Sequence, residues 1–179
     1  NNDTARIRYH TENYGKNFQY RDFIDHFNPL NYNPDEWAEL FKYSGAKYVV
    51  LTSKHHDGFC LWPNSQSNGY NSFEGTAKRD LLGDLNNSVK ALGMKSGFYY
   101  SLYEWEHPDY PGNIEKYVDQ YMIPQLKDAV QRYSPDIIFS DGEWDRSSQE
   151  WGSENFLAWL YNDSNAPEDV VVNDRWGGE

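Results

Sequence analysis

Asp141 closes a short apolar run, Ile137-Ile138-Phe139-Ser140, and is followed at once by Gly142, Glu143 and Trp144. Pro135 in front and Gly142 behind bound that run as a buried strand is bounded. The carboxylate is therefore expected where a strand leaves an apolar core. Half-shielded there, it is suited to act as a nucleophile or a proton-transfer group; in an ordinary Asp-Gly turn it would merely face water. Three more polar clusters follow apolar runs in the same way: Ser53-Lys54-His55-His56-Asp57-Gly58, Ser101-Leu102-Tyr103-Glu104-Trp105 and Asn173-Asp174-Arg175-Trp176-Gly177. Together the four supply carboxylates, imidazoles, phenols, a lysine and an arginine beside tryptophans. Glycoside hydrolysis uses such a set, with two carboxyl groups flanking the scissile bond and donors that hold ring hydroxyls. Two rival readings are a metal-dependent hydrolase, with His55, His56 and Asp57 as ligands, and a sugar-binding protein without catalysis. Three contiguous ligands fit poorly around one ion, and no metal or other cofactor is expected.

The elements that must position these clusters alternate. Asn33-Pro34-Asp35-Glu36 has the pattern of a helix start, with Asn33 as N-cap and Pro34 at the first position. Trp37, Leu40 and Phe41 share a face, and Gly45 ends the helix. Ala46 to Thr52 then forms a β-branched strand. Leu81, Leu82, Leu85, Val89 and Leu92 form a second helical stripe ended by Gly93, and Met94 to Tyr100 a second strand. Ile114 to Val130 is helical, with Pro124 kinking it or starting a second segment; Asp136 to Ser140 is the third strand. Ser153 caps a short helix carrying Phe156, Leu157 and Leu160, and Val170 to Val172 is the last strand. Alternating helices and strands predict a parallel sheet, whose strands all end on one rim. The lack of a glycine-rich phosphate loop counts against a nucleotide-binding fold. The expected class is α/β, a partial (β/α)8 (TIM-like) barrel of about four units whose N- and C-terminal parts lie outside this chain. Residues 1–179 thus read as a fragment of a single catalytic domain, with 1–32 as an irregular or helical lead-in.

Sixteen basic against 28 acidic residues, a formal charge of -12, argue against a nucleic-acid partner. No basic cluster or long apolar run points to a membrane. The single cysteine, Cys60, excludes an internal disulfide. Aromatic residues make up 17% of the chain, many among Asp, Asn, Glu and His, a mixture that matches the C–H faces and hydroxyl edges of sugars.

Four segments resemble the α-L-fucosidases, glycoside hydrolase family 29: Lys47 to Phe59, Arg79-Asp80-Leu81-Leu82-Gly83-Asp84-Leu85, Pro135 to Trp144 and Val171 to Gly177. The resemblance runs from about Asn28 to the end of the chain; nothing before Asn28 is similar to the family's first strand. It implies a metal-free, retaining exo-glycosidase that removes α-linked L-fucose from oligosaccharides or glycoconjugates, in a lysosomal, secreted or periplasmic setting. It also implies roles: Asp141 as nucleophile, His55 and His56 as partners of fucose hydroxyls, Tyr99 (or its neighbour Tyr100) as a site tyrosine, and Arg175 as the arginine of the sugar pocket. Phe139 falls where members carry an aromatic residue against the sugar, usually Trp, and Trp144 is a further candidate platform. The family's acid/base lies downstream of the Asn-Asp-Arg-Trp-Gly motif, so it is expected outside this chain; neither Glu143 nor Glu179 matches it. By itself the 179-residue segment is expected to be inactive and to fold poorly.

Overall fold

Helix α2 (Pro34–Tyr43) begins as its sequence dictates: the Asn33 side chain accepts the Glu36 amide, Pro34 sits in the first turn, and Gly45 leaves the helix at φ 88°. The structure, a computed structural model, describes residues 3–178. Strands β1 (Tyr48–Lys54), β2 (Lys95–Ser101), β3 (Ile137–Asp141) and β4 (Val171–Val172) form one parallel sheet in the order β1-β2-β3-β4. Each successive strand pairs with the one before it, and helices connect them.

Helix α3 (Leu81–Ala91) is capped by Asp80, which accepts the Gly83 amide at 2.8 Å. The connection from β2 to β3 is α4 (Ile114–Tyr117), a π-helical stretch Val118–Met122, and α5 (Ile123–Tyr133), with Pro124 at the second position of α5. The helix runs on without a break from Ile114 to Tyr133, and the π-helical turn just before Pro124 accommodates its missing N–H. Helix α6 (Ser153–Asn162) departs from expectation at its start. Gly152, at φ 63°, is the cap residue, and the Ser153 hydroxyl donates to the Trp176 carbonyl instead.

The helices cover one face of the sheet. Leu51, Phe98, Tyr100 and Ile138 point into that layer and pack with Leu82, Leu126, Val130 and Phe156. A second cluster, Ala38, Leu85, Val89 and Met94, joins α2 to α3. Helix α2 seats Ala38 and Phe41 in this cluster, whereas Leu40 is exposed and Trp37 meets Tyr32 edge-on. The shared face is therefore a 38/41 pair rather than 37/40/41. The opposite face of the sheet carries Thr52, Tyr99, Phe139 and Val171, and Phe139 and Val171 are exposed.

The lead-in is partly regular: α1 (Thr4–Tyr14) capped by Asp3, then a 3-10 turn, Tyr20–His26. Tyr14, Phe18 and Phe23 hold the two together ring against ring. The stretch from Pro63 to Lys78 contains one short 3-10 turn, yet buries Asn64, Ser67 and Asn71 in mutual hydrogen bonds, and Ser72, whose hydroxyl donates to the Arg79 carbonyl.

Candidate active site

Asp141 is the last residue of β3, in register with Ser101 at the end of β2, and Phe139 is in register with Tyr99. Side chains two apart on a strand share a face. The Tyr99 phenol therefore reaches Asp141 and donates to Oδ2 at 2.8 Å. Arg175 Nη1 donates to Oδ1 at 2.6 Å. Arg175 is placed by Asn173, whose side chain continues the β3–β4 ladder past Val172: its Oδ1 accepts the Ser140 amide and its Nδ2 donates to the Ser140 carbonyl. The Ser140 hydroxyl donates to the Arg175 carbonyl at 2.6 Å. Burial pushes the Asp141 carboxyl up, but the bonds from Tyr99 and Arg175, the Gly142 amide and the guanidinium charge outweigh it and hold Asp141 below its ordinary value of 3.8. The same carboxylate, after burial, raises the Tyr99 phenol.

His55 and His56 lie just past Lys54, the end of β1, so strand alternation does not separate them. Their rings sit 4.0 Å apart, and His55 stacks on Tyr99 at 5.5 Å and 13°. The turn is closed by the Gly58 amide on the His55 carbonyl, and tied to the loop after β2 by the Trp105 amide on the His56 carbonyl. Around His56 stand Tyr103, Trp105 and Trp144, at centroid distances of 5.5, 6.1 and 5.4 Å. Trp105 and Trp144 are exposed, and Phe139 stacks on Tyr99 at 6.2 Å and 22°. His55, His56, Tyr99, Phe139, Asp141, Trp144 and Arg175 therefore form one connected group.

Other rim residues do not join it. Lys54 and Glu104 are buried together behind the sheet as a 2.7 Å ion pair. Tyr100, the alternative to Tyr99, is fully buried on that same side, with its hydroxyl donating to Gln125. A register shift between Thr52 and Lys54 turns the lysine inward, which the plain alternation of the strand conceals. Asp57 has no contact with Asp141 in this network, and its pKa is raised by burial. Asp174 is exposed, while Glu143 has one buried oxygen without a partner among the described residues. Glu179 lies outside the described residues. Among the described residues no three His, Cys, Asp or Glu side chains are grouped to hold a metal ion.

Gly142 has φ 78°, and a Cβ there would lie 2.7 Å from Tyr103 Cβ and 2.9 Å from its amide nitrogen. The close approach lets the Leu102 amide reach the Asp141 carbonyl at 2.7 Å. Gly142→Ala is expected to displace Asp141, strain the turn and cost about 1–3 kcal/mol of stability. A thermal melt of the whole protein measures it.

A parallel sheet with helices on one face and a polar, ring-lined group at the carboxyl ends of its strands defines an α/β protein laid out as enzymes of that class are. The chain belongs to the α-L-fucosidase family: the family described as "Alpha-L-fucosidase" matches residues 1–179. The match thus reaches back beyond Asn28, where the sequence motifs stop being legible. Similar proteins include the alpha-L-fucosidase of Dictyostelium discoideum, 45% identical over 98% of this chain and 40% of that protein. The tissue alpha-L-fucosidase of Homo sapiens is 45% identical over 95% of this chain and 38% of that protein. Among solved structures, a Thermotoga maritima alpha-fucosidase in complex with a mechanism-based inhibitor superposes with a TM-score of 0.83 at 37% identity, over 99% of this chain and 44% of that one. A Bacteroides thetaiotaomicron GH29 alpha-L-fucosidase gives 0.80 at 30% identity, over 88% and 37%. The chain spans about 40% of the length of the curated relatives it matches.

Proposed function

We propose that this chain is four βα units of the (β/α)8 catalytic barrel of a retaining exo-α-L-fucosidase, acting on terminal α-linked L-fucose of oligosaccharides or glycoconjugates. The observation that carries the reading is Asp141, an ionised carboxylate held by Tyr99 and Arg175 under the His55–Tyr99 stack. Asp141 attacks the anomeric carbon and forms a fucosyl ester while an acid protonates the leaving oxygen; water then cleaves the ester. The Tyr99 and Arg175 bonds orient the carboxylate and lower its basicity, which makes it a competent leaving group in the second step. His55 and His56 hold ring hydroxyls. Phe139 faces the apolar side of a sugar whose C6 is a methyl group, and Trp144 stands as a platform beside His56.

The acid/base is assigned to no residue of this chain. In retaining enzymes the two carboxyl groups stand roughly 5–5.5 Å apart across the scissile bond. Glu143 rides the same strand end as Asp141, with no place for a sugar between them. The -12 charge keeps nucleic acid an unsuitable partner.

The test is stereochemical. The whole enzyme is given an aryl α-L-fucoside and the first-formed sugar is followed by proton NMR. α-L-Fucose appearing first is expected; β-L-fucose first overturns the double displacement, and no turnover overturns the substrate.

A further inference from the structure

The Ser101 hydroxyl has one proton and two neighbours at 2.6 Å, the Tyr103 carbonyl oxygen and His56 Nδ1. A carbonyl oxygen has nothing to donate, so an O···O separation this short requires the Ser101 proton between the two oxygens. Ser101 then offers Nδ1 only a lone pair, and Nδ1 must carry the hydrogen. In a neutral imidazole protonated at Nδ1, Nε2 is an acceptor. Nε2 has no hydrogen-bond partner among the described residues.

Ser101 is fully buried and its Cα is in register with Asp141, so it sits level with the carboxylate one strand over. The Leu102 amide bonds the Asp141 carbonyl, and a Cβ on Gly142 would come within 3.0 Å of the Ser101 oxygen. Serine, tyrosine carbonyl and nucleophile are thus parts of one packed corner. On the fucosidase reading above, we infer that Ser101 is a positioning residue that fixes His56 as its Nδ1–H tautomer, so that Nε2 accepts the hydrogen of one hydroxyl of the bound sugar. Around Asp141 the described groups are donors, Tyr99 and Arg175. A sugar hydroxyl both donates and accepts, and His56 Nε2 supplies a directed acceptor beside those donors. Burial, then the neighbouring His55, lowers the His56 pKa against the pull of Asp141, with Lys54 adding to the lowering, which keeps the ring neutral and Nε2 free to accept.

The experiment uses the whole enzyme with 15N-labelled histidine. Two-bond proton–nitrogen spectra report which ring nitrogen carries the proton, and the His56 signal is identified by its loss in His56→Gln. In the unaltered enzyme His56 is expected neutral and protonated at Nδ1; neutral His56 protonated at Nε2 overturns the inference, whether or not any variant folds. Ser101→Ala should release the tautomer and lower kcat/KM about tenfold, the weight of one hydrogen bond. Across three monodeoxy fucosides that penalty should vanish for the one lacking the hydroxyl held by Nε2. An equal penalty on all three makes Ser101 merely structural and overturns the inference. Failure of the unaltered enzyme to cleave any α-L-fucoside would instead sink the fucosidase reading, with the tautomer still measured by NMR.

Discussion

Asp141→Ala in the whole enzyme is expected to cut aryl α-L-fucoside hydrolysis on the order of 10⁴- to 10⁶-fold, the scale on which removing a covalent nucleophile acts. Sodium azide should restore part of the turnover, because the small anion fits the space of the missing carboxylate and attacks the same face of the sugar. The product is then a β-fucosyl azide, detectable by mass spectrometry. Stability should change little, since the two side chains left unpaired can turn to water: Arg175 is half exposed and Tyr99 only partly buried. Residual activity within tenfold of the unaltered enzyme would remove Asp141 from the mechanism. The acid limb of the pH profile gives a companion check. Asp141 is held below its ordinary 3.8, so it stays ionised as pH falls through that value, and any stabilisation it brings is complete above 3.8 and lost only below it. A limb that moves in Arg175→Met but lies below 3.8 in the unaltered enzyme fits this assignment.

Breaking the Lys54–Glu104 pair is expected to be the most destabilising single change. Both side chains are withdrawn from water, at 0% and 4% exposure, and joined at 2.7 Å. Tyr121 donates to Glu104, and the Lys54 ammonium lies 4.4 Å from the Tyr100 ring centroid. Lys54→Met leaves a buried carboxylate unpaired, at a cost of about 3–5 kcal/mol in urea unfolding. The double variant Lys54→Met/Glu104→Leu should recover most of that loss, because the penalty comes from the orphaned charge. Equal loss in single and double variants would refute that account. Activity should fall as well: Lys54 precedes His55, and the Glu104 side chain occupies the space a Cβ on Gly58 would need. The pair therefore sets the turn that carries both histidines.

Helix limits were legible where a cap and a glycine bracket an apolar stripe, as at Asn33 with Gly45; for the second helix the stripe and Gly93 marked the end, while its cap, Asp80, emerges only in the structure. Such signals are local, and local hydrogen bonds decide them. The grouping of the polar clusters on one rim was also legible, since parallel strands end together. Which side each residue faces was not. A one-residue irregularity before Lys54 reverses its face, and Tyr99 and Tyr100 differ only in their cross-strand partners, Phe139 and Ser140. Composition gives no sign of either. Ser101 stood in the sequence only as the first residue of a polar cluster; its two partners are a carbonyl two residues on and a histidine 45 residues back.

The strands lie side by side in the order in which they are made. Each βα unit emerging during synthesis finds its pairing partner already in place. No strand must be inserted between two others, so the loop closed at each step is one connection long. Growth of the sheet can keep pace with translation. Asp141 and Arg175 follow one another on consecutive strands and meet only when β4 docks beside β3, so the carboxylate gains its guanidinium partner one strand after its own strand is made.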